Sequence, residues 1–279
     1  MARVDDAAPA YADMAVPKGP TAIGLALRGL TKFGSIIVFL LAWEILASSG
    51  VFSPFLLPKF SVVIGRILTD MADGIWFINL GETLYRALFG FISAAIIGIP
   101  LGILMGRIGS IRWFFDPVVS IGFPAPKVAF LPVFILWFDL FDTAKIFLVA
   151  FTAIFPIVAA SWAGTFAVDK NLIWSARSLG ANQREILYEI ILPAAMPQVL
   201  TGLQIALPIS MIVALVAEFL MGGNGLGGTM IEAQRFGDSP GVFAGIVSIA
   251  LAGMVLIKSL EYLRRRLLSW HPETEALTA

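Results

Sequence analysis

Long apolar runs alternate along this chain with short connections that carry charge, glycine and proline. A helix needs about 20 mostly apolar residues to cross a bilayer's hydrocarbon core. Six runs approach that length: residues 33–49, 83–105, 117–138, 143–166, 199–221 and 241–263. The pattern predicts an all-α, polytopic membrane protein with about six transmembrane helices. Residues 1–32, with Pro9, Pro17 and Pro20, read as a disordered tail with a short amphipathic end. Residues 33–266 form the expected transmembrane domain, its core at about 80–263, and 267–279 a C-terminal tail. The first run reads as a retained span rather than a cleaved signal, because Asp5, Asp6 and Asp13 precede it and Glu44 interrupts it.

Lysine and arginine set the expected orientation. With the N-terminus inside, the inner segments hold Arg107, Arg112, Lys170, Arg177, Arg184, Lys258 and Arg264 to Arg266, besides the basic residues of the N-terminal tail. The outer segments hold Lys59, Arg66 and Arg235, while Arg86, Lys127 and Lys145 fall at or inside spans. Both termini are therefore expected in the cytoplasm.

One stretch departs from the oily pattern: SARSLGANQREILYEIILPAAMP, residues 175–197. Asp169 can cap a short helix whose Leu172, Ile173, Ala176 and Leu179 follow the helical period. Gly180 stands where a left-handed residue would end that helix, since glycine has no Cβ to clash there. Asn182 with Glu185 three residues on resembles a capping box that restarts a helix, and Pro193 is expected to stop it. The product is a helix–turn–helix hairpin at about 169–193, projecting on the inner side. It could lie flat among headgroups or dock a partner; the fixed glycine corner favours docking.

Composition agrees with a lipid solvent: of 279 residues, 58% are hydrophobic and 14% charged, more apolar surface than a soluble domain can hide. The formal net charge is zero, so the overall balance implies no nucleic acid. The absence of cysteine excludes disulfides and thiolate chemistry, and a single histidine, His271, leaves no histidine metal cluster or Ser-His-Asp triad. No lysine follows a glycine, so the G-x-x-x-x-G-K-[ST] phosphate loop is missing. "GNGLGG" at 223–228 matches G-x-G-x-x-G, but a long apolar run precedes it where a dinucleotide site needs a strand, so a tight turn is expected.

Charged residues in the spans default to functional candidates. Glu82 and Arg86, four apart, can pair with each other. Lys145 lies near Asp139 and Asp142 at an interface. Glu218, near the outer end of the fifth run, suits either a gate or a packing ion pair. "GFPAPKVAF" should bend the third run, because Pro124 and Pro126 remove two donors. Irregular backbone at membrane depth is tolerated where it lines protein or a wet cavity. Phe123, Pro124 and Glu218 are the candidate pathway residues; for Lys127 the preferred reading is a reach to the headgroups.

Gly180, Ile190, Leu192 and Pro193, with Ala176, stand at the spacing of the EAA loop of ABC-importer permeases, E-A-A-x-x-x-G-(nine residues)-I-x-L-P. Trp174 and Ser175 stand where that family often has Glu and Ala. "LYRALFGF", "IPLGILMG", "KVAFLPVFILWF", "AKIFLVAF", "VAEFL", "GNGLGG" and "LLSWHPE" are similar to the nitrate/sulfonate/taurine-type permeases of that family, over about residues 57–272. The resemblance implies a non-enzymatic transport subunit of type I importer fold, moving a small anionic solute. It implies a homodimer in the lipid bilayer, an extracytoplasmic solute-binding protein, and a separate ATP-binding subunit that holds the nucleotide, so no cofactor on this chain. Ala176, Arg177, Leu179, Gly180, Glu185, Ile190, Leu192 and Pro193 would then meet the ATP-binding subunit. An ion-coupled secondary transporter or channel is the competing class, and a membrane-embedded enzyme a third.

Overall fold

A computed structural model describes residues 22–270, with side chains from residue 34 onward. The chain divides into two units, up to Phe52 and from Ser53. In the first, helix α1 (Ala22–Ser48) carries an apolar segment, Gly34–Ser48, shorter than a full span. The rest of the N-terminal tail and His271 lie outside the described residues.

In the second unit, helices α2 (Phe60–Ala72), α3 (Ile75–Arg107), α4 (Gly109–Gly122), α5 (Leu131–Phe138), α6 (Asp142–Phe166), α7 (Lys170–Ser178), α8 (Gln183–Glu185), α9 (Leu192–Met221), α10 (Leu226–Arg235) and α11 (Ser239–Leu267) follow in order. Among the described residues, four helices are long and apolar enough to cross a membrane: α3, α6, the continuous stretch Gln183–Met221, and α11. The third expected run is instead a bent pair, α4 and the segment Lys127–Phe138, meeting at 97°. Pro124 and Pro126 sit in that break and lack the N–H groups that would carry a helix through it.

Why α3, α6 and α9 form the centre is legible in their glycines. A Cβ on Gly102 of α3 would lie 2.6 Å from Ser161 Cβ and 2.6 Å from the Val158 carbonyl of α6. One turn to either side, Gly98 faces Ile157 and Gly106 faces Thr165, so a single helix face of α3 admits the backbone of α6. Between apolar helices in lipid, such close van der Waals contact drives association, because the hydrophobic effect gives little. Gly202 of α9 meets Ala160 of α6 in the same way. Small and branched side chains then fill the centre: Ala87, Leu148, Val149, Ala214 and Ala217 are fully buried. The outer faces are apolar as well, with Ile96, Ile212 and Val255 exposed. A helix that is apolar all round has two apolar neighbours, protein and lipid.

α11 is held at its start by Asp238, whose carboxylate accepts from Gly241 N and from Arg66 of α2 at 2.7 Å. Trp76 Nε1 of α3 donates to Ser248 Oγ of α11 at 2.8 Å.

Candidate functional site

Two polar assemblies occupy opposite ends of the α6–α9 pair, and the helix break lies beside α6. The hairpin begins as its sequence dictates. Asp169 caps α7, accepting from Asn171 N at 2.8 Å. Gly180 has φ +90°, and two bonds close the corner: Gly180 N to Arg177 O and Ala181 N to Ala176 O, each 3.0 Å. That pairing is the Schellman arrangement, which consumes carbonyls a helix end otherwise leaves orphaned. Asn182 Oδ1 then accepts from Arg184 N and Glu185 N, while Glu185 Oε2 accepts from Asn182 N at 2.7 Å. The expected capping box is present, so Glu185 is committed to the corner.

The expected stop at Pro193 is not. Residues Ile186–Ile191 form a π-helical turn and the helix runs on through Pro193 into α9. A π turn widens the ladder by one residue, which relieves the clash of a proline ring with the preceding turn. The whole stretch Gln183–Met221 has 39 residues. At about 1.5 Å per residue it is about 58 Å long, nearly twice the roughly 30 Å hydrocarbon thickness. Its first turns are therefore not needed to cross the hydrocarbon and form one continuous helix with the span.

The hairpin has a core of its own. Val168, Ile186 and Ile191 are buried, and Ile173, Ala176, Ala181, Leu187 and Ile190 pack on them. Ala176 and Ile190 thus face inward and hold the two helices together. What the hairpin presents outward is different: Leu179 (88% exposed), Tyr188 (65%), Trp174 (59%) and Leu172 (54%), with Arg177 exposed beside them. Leu192 and Pro193 are half-buried at the root. Sequence reasoning missed Trp174 and Tyr188 as surface groups. The signal was available for Trp174, a tryptophan in a polar stretch where the resembled motif often has glutamate.

At the opposite end lies a buried ionic network. Arg86 of α3 is 3% exposed and donates to Glu82 at 3.0 Å, to Asp142 of α6 at 2.7 Å, and to Glu218 of α9 at 2.6 Å. It also donates to the Asn224 carbonyl at 2.7 Å. Glu218 is fully buried and accepts further from Thr83 Oγ1 at 2.9 Å and Gly227 N at 2.9 Å. Lys145 of α6 is buried too and donates to the Gly222 carbonyl at 2.7 Å. The Glu82–Arg86 pair expected from spacing is one arm of this larger set. The Glu218 carboxylate is fully buried and enclosed by these partners, an ion pair packed between helices. A buried charge persists only when its remaining lone pairs are also satisfied, and here they are.

The same network explains "GNGLGG". Gly225 N donates to Asn79 Oδ1 and Leu226 N to Thr83 Oγ1, both at 2.9 Å. Gly225 has φ +115°, and a Cβ there would lie 2.5 Å from the Glu218 carboxyl carbon. The glycines let a turn wrap the carboxylate, a structural role rather than a nucleotide site.

At the break, Phe123 and Pro124 are exposed. Lys127 folds back over this corner. Its ammonium donates to the Phe123 carbonyl and sits 5.8 Å from the Phe123 ring centroid and 5.1 Å from that of Phe155.

Long apolar helices around a glycine-packed centre, continuous with one capped hairpin that has its own core, define a polytopic membrane protein. Residues 98–269 match the family model described as "Binding-protein-dependent transport system inner membrane component". The chain is 33% identical over 249 residues to the taurine transport system permease protein TauC of Escherichia coli K12, covering 88% of this chain and 90% of that one. It is 32% identical to the putative aliphatic sulfonates transport permease protein SsuC of Bacillus subtilis 168, covering 85% and 86%. It is 29% identical to the formylaminopyrimidine transport permease protein ThiX of Halalkalibacterium halodurans, covering 84% and 93%. The MetNI methionine ABC transporter, solved in inward-facing conformations, shares the fold with a TM-score of 0.53 at 19% identity, over 70% of this chain and 98% of that one.

The chain belongs to the binding-protein-dependent inner membrane transport components. It is a multi-pass permease subunit of an ABC importer and not an enzyme. Membership implies an ATP-binding subunit and a solute-binding protein as its partners.

Proposed function

We propose that two copies of this chain form the translocation pathway of an importer for a small organic anion of the sulfonate type. In this reading the hairpin docks in the ATP-binding subunit, which binds the nucleotide. Both termini and the hairpin lie in the cytoplasm, and the glycine turn at 222–228 faces outward. The observation that carries the docking role is the hairpin itself. Its core closes without help from the spans, while Leu179 at its tip is left 88% exposed. A hairpin lying flat among headgroups would need no 39-residue rod continuous with a span. Support for the solute class comes from the names of the relatives that transport taurine and aliphatic sulfonates.

In this reading Leu179, Arg177 and Gly180 meet the ATPase, Ala176, Ile190 and Glu185 hold the hairpin in shape, and Leu192 with Pro193 joins it to α9. Phe123 and Pro124 lie on the pathway. Glu218 supports the pathway from behind rather than lining it.

The test is reconstitution of this chain with its ATP-binding subunit and solute-binding protein in proteoliposomes. Uptake of taurine or an alkanesulfonate should require both hydrolysable ATP and the binding protein. Uptake driven by an ion gradient with this chain alone would instead establish a secondary transporter.

A further inference from the structure

We infer that Lys127 is the cation that meets the acidic head of the solute inside the membrane, with the exposed Phe123 ring supporting the solute's apolar body. This rests on the reading above that the solute is an organic anion.

The argument starts from how the chain treats its other cations at membrane depth. Arg86 is neutralised by Glu82, Asp142 and Glu218, and Lys145, 2% exposed, is sealed in beside them with its ammonium on the Gly222 carbonyl. Lys127 differs from the first in lacking a carboxylate partner and from the second in being only half-buried. Among the described residues no carboxylate pairs with it, and its hydrogen bond goes to the Phe123 carbonyl alone. An ammonium has three donors, so two remain for something else. The aromatic rings of Phe123 and Phe155 partly offset the charge through their faces. They cannot accept the remaining protons as an anion would.

Position adds a second, independent reason. Lys127 stands at the 97° break between α4 and α5, where Pro124 and Pro126 have removed two backbone donors. Irregular backbone at this depth is sustained next to protein or water, not next to lipid tails. Phe123 is half exposed and Pro124 exposed on the same corner. A half-buried ammonium, an exposed ring and a polar break together make a surface that lipid would penalise. An organic anion fits it: the acidic oxygens accept from Nζ and a short apolar chain covers the ring. A small inorganic anion would leave the ring uncovered.

The chain has no cysteine, which makes the test direct. Lys127→Cys, Lys127→Gln and Lys127→Arg are assembled with cysteine-free partners in proteoliposomes. The readouts are uptake of butanesulfonate, taurine and nitrate, together with ATP hydrolysis stimulated by the binding protein. Lys127→Gln should lose about ten- to a hundredfold in butanesulfonate uptake, the range spanned by one charge-assisted hydrogen bond, while membrane abundance and ATPase association stay normal. Lys127→Arg should retain most uptake. The thiol of Lys127→Cys should react with a water-borne aminoethylating methanethiosulfonate reagent, recover uptake when it does, and be shielded by butanesulfonate more than by nitrate. Normal uptake by Lys127→Gln, or a thiol that no aqueous reagent reaches, overturns the assignment and leaves Lys127 as a cap for the Phe123 carbonyl. Failure of the unsubstituted complex to take up any organic anion refutes the solute class, and this anion site with it.

Discussion

Replacing Gly180 by valine tests whether the hairpin corner transmits force. Gly180 holds φ +90°, a region that costs an L-residue about 1–2 kcal/mol and a β-branched one the upper end of that range. No atom lies within 4 Å of an added Cβ, so no steric clash is added and the cost is backbone strain alone. If the chain escapes the strain by leaving the left-handed region, it gives up the two 3.0 Å bonds to Arg177 O and Ala176 O, at about 1 kcal/mol each. Either route shifts the corner's equilibrium by about 5- to 30-fold or more. The spans are untouched, so membrane abundance should stay near normal. Leu179 at the tip turns away from its direction, so co-purification of the ATP-binding subunit should fall, or hydrolysis should proceed without transport. Gly180→Ala should be milder, and Glu189→Gln, on an exposed position, milder still. The assays are membrane-fraction level, ATPase co-purification and hydrolysis stimulated by the binding protein. Normal coupling and transport in Gly180→Val would refute the corner as the point of force transfer and return the hairpin to a resting place on the headgroups.

Glu218→Ala should lower the thermal midpoint in detergent by the equivalent of about 1–3 kcal/mol, because it removes one of the three carboxylates on Arg86 and leaves the Gly227 N–H without its acceptor. The double variant Glu218→Leu with Arg86→Met should cost less than the two single changes summed, and strict additivity would mean that the pair is not coupled. Gly102→Leu should abolish a folded permease, since a Cβ alone would already lie 2.6 Å from Ser161 Cβ, whereas Gly65→Ala, with nothing within 4 Å, should leave the protein's level unchanged. A reporter fused after Gly180 should read as cytoplasmic and one fused after Gly225 as exported; the same side for both would invalidate the order of spans.

Much of this protein follows from patterns that are local in sequence. The apolar runs announce helices because backbone groups in lipid must be satisfied within the segment. The corner of the hairpin is legible because its capping uses residues within a few positions of each other: Asp169, Gly180, Asn182 and Glu185 each behave as their spacing implies. The break at Pro124 and Pro126 is legible for the same reason. What only the tertiary structure decided depends on residues far apart in the chain. That Glu218 is enclosed by Thr83, Arg86 and Gly227 requires three elements to converge. The glycine turn owes its meaning to that carboxylate, which its own spacing does not reveal. That Ile186 turns into the hairpin while Leu179 turns out depends on how two short helices pack, since each carries apolar residues on more than one side. And the helix continues past Pro193 because a π turn makes room for the ring, a change of ladder that propensity does not encode. Periodicity determines which segments are helical; the choice of which apolar or charged side chain is enclosed belongs to packing, where burial and pairing across distant segments set the energy.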